Sequence, residues 1–189
     1  MYMTIFFTSD THIGHKNIIK YSNRPYKSIE EMNEAIVNNW NSLVTQDDTV
    51  YHLGDVGFIN NDNLNKYLNR LNGKIYHIIG NHDKKLRTDR FEWSRHYFEL
   101  KIQDKDCERG SQLIILCHYP FLTWDRKHHN SWNIHGHCHG SIPVDLNTKR
   151  IDAGVDVWNY YPISYQVLKN EFKKFNNPIK DHHNNYLED

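Results

Sequence analysis

Seven side chains at five separate places in this 189-residue chain are of types that hold metal ions, and their spacing sets them apart. Asp10 and His12 stand two residues apart, as do His137 and His139; Asp55 follows Gly54, Asn81 follows Gly80, and His118 precedes Tyr119-Pro120. In an extended backbone, residues i and i+2 project to the same side. That alternation pairs Asp10 with His12 and turns Thr11 away, and it pairs His137 with His139 and turns Cys138 away. The inventory is two carboxylates, one amide oxygen and four imidazoles. One divalent ion takes about four to six ligands, so seven, with one carboxylate shared, suit two ions. A shared carboxylate lets the ions approach to roughly 3.5–4 Å, the separation used by two-metal hydrolases. Oxygen and nitrogen donors without a thiolate favour Mn, Fe or Zn over Ca or a structural zinc site.

Each cluster closes a short apolar run: 3–8, 49–53, 74–79, 112–117 and 132–135. Their length and β-branched content predict buried strands, and two more are expected at 141–146 and 150–154. Ser28 and Glu31 form a capping box at the start of a helix. Ile29, Met32, Ala35, Ile36, Trp40, Leu43 and Val44 recur along it at helical spacing. A second helix is expected near 62–72, with Leu64, Tyr67, Leu68 and Leu71 as its stripe and Gly73 as its stop. A third follows Ser164 as cap, with Val167, Leu168 and Phe172 facing inward. Strands alternating with helices imply an α/β architecture, in which ligands gather at the carboxyl ends of strands. All five clusters sit at such ends.

Composition narrows the classes further. Lys plus Arg and Asp plus Glu are 23 each, so the net charge is zero and gives no support to nucleic-acid binding by bulk charge. Hydrophobic residues make up 38% and charged residues 24%, well away from the signature of disorder. Three cysteines make no disulfide framework and fit a reducing compartment. No apolar run approaches a membrane span, and the first residues do not read as a signal peptide, so a cytoplasmic protein without membrane association is expected. One domain over 1–175 and a polar tail over 176–189 are expected; the oligomeric state is left open.

The ordered set Asp10-Thr11-His12, Gly54-Asp55, Gly80-Asn81-His82-Asp83, His118 and Gly136-His137-Cys138-His139 resembles the motifs of the calcineurin-like metallophosphoesterases. The resemblance covers roughly residues 3–155. It implies a two-sheet β-sandwich flanked by helices, in four layers αββα, and two divalent metal ions as cofactors. One ion would be held by Asp10, His12, Asp55 and His139, the second by Asp55, Asn81, His118 and His137. Water activated by the cations would attack phosphorus in line. His82 would protonate the leaving oxygen as general acid, and Asp83 would orient His82.

The chain also departs from that family. Many members carry an Arg or Asp shortly after the Gly-Asp pair; here Gly54-Asp55 is followed by Val56-Gly57-Phe58. A missing clamp penalises a doubly charged monoester more than a diester. A phosphodiesterase acting on a small or nucleotide-like substrate, with Mn favoured in vitro, is therefore expected. A phosphomonoesterase or a nucleic-acid-processing phosphatase or nuclease is the alternative, and a non-catalytic scaffold on the same fold is disfavoured because no ligand is missing. His15, Asn17 and Arg24 follow the first motif and are candidates for contacting substrate phosphate, against a plain capped loop with surface charge. His52, His77 and His135 lie inside expected strands and read as satisfied core histidines.

Overall fold

All five apolar runs form strands in the computed structural model, which describes residues 3–107 and 109–176. The chain runs β1 (Ile5–Thr8), α1 (Ile18–Tyr21), α2 (Ile29–Leu43), β2 (Thr49–His52), α3 (Asn61–Leu68), β3 (Lys74–Ile78) and β4 (Phe91–Arg95). It continues through β5 (Tyr97–Gln103), β6 (Ser111–Cys117), a 3₁₀ turn (Lys127–His129), β7 (Trp132–His135), β8 (Arg150–Asp152), β9 (Ile163–Ser164) and α4 (Tyr165–Phe172).

Two mixed sheets result. The first has the order β4-β3-β2-β1-β9, parallel but for β9; the second has the order β5-β6-β7-β8, parallel but for β5. Alternation along the first sheet divides its side chains between two cores. Phe7, Tyr51, Leu53 and Ile78 face the second sheet and pack with Ile114, Leu116, Trp132 and Ile134. Phe6, Val50 and Ile75 face the other way, against Val37 and Trp40 of α2 and Leu64 and Leu68 of α3. A core on both faces explains why these runs are continuously apolar. The result is the sandwich of two sheets flanked by helices that the motifs imply.

The helices begin where their caps say. Ser28 Oγ accepts from Glu31 N at 3.1 Å, while Glu31 reaches back to Lys27 N rather than to the cap itself. In α2, Leu43 is 46% exposed and not part of the buried stripe. α3 is capped by Asn60 and ends at Leu68, short of the expected 72; Leu71 is nonetheless buried, and Gly73, at φ +83°, leads into β3. In α4, Ser164 caps and Leu168 and Phe172 are buried, but Val167 points to solvent because it lies a helical step off that face.

Segment 141–146 forms no strand: Pro143 lacks an N–H for a ladder, and Ile142, Val144 and Leu146 are exposed. Two strands the sequence did not announce, β4 and β5, are edge strands whose alternation with charged residues breaks up any apolar run. Only His96 separates them, so the chain crosses from one sheet to the other in a single residue. Of the expected tail only Asn176 lies among the described residues, its N–H donating to the Leu146 carbonyl at 2.8 Å. Among the described residues no helix is long and apolar enough to cross a membrane.

Candidate metal centre

The strand ends meet at one edge of the sandwich because the loops leaving them are stitched together. Asp10 N donates to Gly54 O at 2.9 Å, His12 N to Asp55 O at 3.0 Å, Val155 N to Ser9 O at 3.0 Å and Gly136 N to His118 O at 3.0 Å. The backbone that carries these ligands is not extended. Asp10 (φ 57°), His12 (49°), Asp55 (55°), His137 (70°) and His139 (47°) all take the left-handed conformation rather than an extended one. Side-chain crowding makes that region costly for any residue but glycine, and such strain concentrates at functional sites. One consequence is that His137 and His139 do not pair. They diverge into two clusters, Asp10–His12–His139 and Asp55–His118–His137, each with its ligand atoms within 4.8 Å of one another.

Asp55 joins the clusters. Its Oδ2 lies 3.7 Å from His12 Nε2 in one and 3.6 Å from His118 Nε2 in the other. Asn81 Oδ1 stands 3.0 Å from His118 Nε2, and His139 Nε2 is 3.8 Å from Asp10 Oδ1. The neighbours decide which ring nitrogens carry protons. His118 Nδ1–H donates to the Leu53 carbonyl at 2.7 Å, and His139 Nδ1–H donates to Asp156 Oδ2 at 2.6 Å. Both Nε2 atoms are then lone pairs facing oxygen lone pairs. Asp10 Oδ1 and His12 Nε2 are buried without any hydrogen-bond partner. Acceptors aimed at acceptors in a buried pocket are reconciled by cations, and this oxygen–nitrogen donor set fits borderline divalent ions.

Electrostatics tells the same story. Burial pushes the Asp10 carboxyl up to about 8, the carboxylate of Asp55 adding to the shift. Burial likewise drives the His12 imidazole far below its usual range, with neighbouring His139 and Arg24 charges adding to it. Burial thus disfavours the charged Asp10 that a metal ligand requires, and a nearby divalent ion inverts that balance.

Backbone space at the site is equally restricted. A Cβ on Gly136 would run into Ser9 Oγ and Asp10 Oδ2, and one on Gly80 into Asp55 Oδ1 and the Asp55 N–H. The glycines of these motifs let neighbouring loops come close enough to share ligands.

The remaining predicted residues divide. His82 stands at the rim, its side chain 37% exposed, its Nε2 3.9 Å from Asp55 Oδ2 and its N–H on Asp55 Oδ1 at 2.9 Å. Asp83 does not orient His82. Its buried carboxylate accepts from Asp55 N (2.8 Å), Gly80 N (2.9 Å), Val56 N (3.0 Å) and His77 Nε2 (2.9 Å), so it fixes two ligand-bearing loops. Burial alone would raise its pKa; the His77 hydrogen bond and those from Gly80 and Val56 hold it well below the usual range. Arg24 is no phosphate clamp. Its guanidinium is fully buried, paired with both Asp156 oxygens at 2.8 Å, and donates to the carbonyls of Asp10 (2.7 Å) and Thr11 (3.0 Å).

His15 lies beside the site, Nδ1 3.3 Å from His12 Nδ1, with its ring against Phe58 at 4.7 Å. Asn17 is exposed at the cap of α1, its side chain making no cap bond. His52, His77 and His135 are buried and hydrogen-bonded, to Thr11, to Asp83 and Ser94, and to the Gly136 carbonyl respectively. Asp156 is the residue that motif reading missed. Its one signal is position, just beyond the carboxyl end of β8, where the other polar clusters also lie on their own strands.

Comparison with known proteins gives consistent likenesses. Residues 3–154 match the model of the calcineurin-like phosphoesterase superfamily domain. The uncharacterized protein MJ1445 of Methanocaldococcus jannaschii is 36% identical over 171 residues, covering 87% of this chain and 88% of its own length. The gene 66 protein of Mycobacterium phage L5 is 26% identical over 179 residues, covering 80% of this chain and 86% of its own. Among solved structures, a protein of unknown function, AQ665 from Aquifex aeolicus, superposes with a TM-score of 0.63 at 25% identity, over 90% of this chain and all of its own. With the family match spanning every strand end that carries a candidate ligand, the chain belongs to the calcineurin-like phosphoesterase superfamily.

Proposed function

We propose that this protein is a dinuclear metal-dependent phosphodiesterase acting on a small or nucleotide-like diester. The position of Asp55 Oδ2, 3.7 Å from His12 Nε2 and 3.6 Å from His118 Nε2, carries the reading. Asp10, His12 and His139 would hold one ion, Asn81, His118 and His137 the other, and Asp55 both; Mn, Fe or Zn suits the donors. When bound, such a pair supplies positive charge to the phosphoryl oxygens and acidifies water.

The chain's own residues do the rest. Leu53 and Asp156 hold the His118 and His139 rings with Nε2 turned inward. His82, on the rim, donates a proton to the departing oxygen. His15 borders the same opening and is one of the two remaining candidates for a substrate contact; exposed Asn17 is the other. Preference for a diester follows from Arg24: the guanidinium that would clamp a second phosphate charge is spent on Asp156 and backbone carbonyls.

Purified protein incubated with Mn²⁺ is expected to hydrolyse bis(4-nitrophenyl) phosphate faster than 4-nitrophenyl phosphate, and Asp55→Asn is expected to abolish both activities. Faster monoester hydrolysis overturns the diester assignment, and full activity in Asp55→Asn overturns the dinuclear one.

A further inference from the structure

Several charged side chains on this molecule are paired. Arg70 meets Glu34 at 2.6 Å, Lys169 meets Asp104 at 2.7 Å and Asp106 at 2.8 Å, and Lys174 meets Glu171 at 2.7 Å. One region gathers several cations around a single concavity, although Arg126 there also meets Asp125 at 3.8 Å. At the amino-terminal ends of β6, β7 and β8, the end of the second sheet away from the metal centre, lies a cavity of about 270 Å³. Lys101, Arg109, Arg126, His129 and Lys149 line it, and no carboxylate does so among the described residues. The chain's net charge is zero, so this excess is local. Like charges gathered in one concavity repel, and an anion placed among them removes the cost.

The walls are built rather than incidental. Arg126 and Asn130, either side of the 3₁₀ turn, take left-handed backbone conformations (φ 55° and 64°) that fold the loop over the cavity. Gln112 Nε2 at the start of β6 donates to the Asn130 carbonyl at 2.9 Å, and Asn133 N of β7 donates to the Lys149 carbonyl at 2.9 Å. Arg109 Nη2 rests 3.4 Å from His129 Nδ1, an imidazole where a carboxylate would ordinarily sit. Asn130 Oδ1 is buried with no partner, leaving an acceptor for an acidic hydroxyl. Partial burial also lowers the Lys149 ammonium below the usual lysine value.

We propose that this cavity binds closely spaced phosphate groups, as in a polyphosphate chain, at a site separate from the metal centre. Its small volume suits a compact anion, and several cations, from β5, the β5–β6 connection, the loop before β7 and the residue before β8, match several phosphates rather than one. The inference is independent of the phosphodiesterase reading.

Calorimetric titration of the full chain with tripolyphosphate is the test. The double substitution Arg109→Ala/Lys149→Ala is expected to weaken binding at least tenfold. Arg109→Lys/Lys149→Arg is expected to retain it, and Asp55→Asn, which alters the metal centre alone, is expected to bind like the unaltered protein. Hydrolysis of the chromogenic diester stays unchanged in the double alanine variant, which also reports that it folds. A single-stranded oligonucleotide that displaces tripolyphosphate would identify strand phosphates as the source; failure to displace it would identify the compact chain. No binding by the unaltered protein, equal binding by the double alanine variant, or loss only in Asp55→Asn overturns the proposal.

Discussion

Asp156 Oδ2 stands 2.6 Å from His139 Nδ1 while the same carboxylate takes two nitrogens of Arg24 at 2.8 Å. Arg24 in turn clasps the carbonyls of Asp10 and Thr11, so one buried ion pair orients an imidazole of the first cluster and the backbone beneath its other two members. The His139 imidazole feels opposing influences. Burial pulls its pKa down, but the Asp156 hydrogen bond and the charges of Asp10 and Asp156 outweigh it and leave the ring more basic than usual. A more basic imidazole is a better ligand, and a ring held in place loses less freedom on binding an ion.

Asp156→Asn should therefore weaken divalent-ion binding by roughly 10–100-fold, the usual cost of losing a carboxylate behind a ligating histidine. Asp156→Ala should also destabilise the fold by about 3 kcal/mol or more, since it leaves the Arg24 charge buried and unpaired. Metal titration and thermal unfolding separate the two effects. Unchanged metal affinity in Asp156→Asn would cut the link between this carboxylate and the centre.

His82 makes a different prediction because it sits at the rim rather than in a cluster. If it protonates the leaving oxygen, His82→Ala should lower turnover by about 10²–10⁴-fold on a diester with an alkoxide leaving group. The loss should shrink on a 4-nitrophenyl ester, whose leaving group departs without a proton. Equal losses on both substrates would point to binding instead.

Gly136 tests how tightly the loops are pressed together. Because an added Cβ would meet Ser9 Oγ and Asp10 Oδ2, Gly136→Ala must displace the Asp10 carboxylate or the loop carrying His137 and His139. A destabilisation of about 1–3 kcal/mol is expected from overpacking, with reduced metal content in the purified protein. Full metal occupancy and an unchanged melting temperature would show that the loops have room to spare.

These residues also show what a sequence can and cannot reveal. The central strands were legible because both faces of the first sheet are buried, which writes continuous apolar runs ending in polar clusters. β4 and β5 were not, because edge strands mix charged and apolar residues. Convergence of the candidate ligands was readable from their places at strand ends, and Asp10 and His12 do share a cluster, but through positive φ rather than an extended backbone, while His137 and His139 part into different clusters. Arg24 and Asp83 look like substrate and catalytic groups because motif position shows proximity to a site. It does not show that neighbouring backbone has already consumed their hydrogen-bonding capacity. Asp156 belongs to no spacing pattern, and only the folded chain brings it to His139.

A last prediction concerns stability far from the metal centre. Asp104, at the end of β5, accepts from Lys169 Nζ of α4 at 2.9 Å and from Tyr165 Oη at 2.6 Å, tying a sheet edge to the final helix. The Lys169 hydrogen bond, then that from Tyr165, holds the Asp104 carboxyl well below the usual aspartate range. A group whose pKa is lower folded than unfolded stabilises the fold above its unfolded value, and that contribution is lost as pH falls through the folded one. The contribution is thus complete at neutral pH and starts to fade below about pH 4, where an unfolded aspartate takes up its proton. The pair is only partly shielded from solvent, so about 1 kcal/mol is expected, equivalent to roughly 2–4 °C in a chain of this size. Asp104→Asn should melt lower than the unaltered protein at pH 7, with the gap narrowing as pH drops below 4. Melting temperatures measured from pH 7 to pH 3 check this, and a gap that widened on acidification would reverse the sign of the argument.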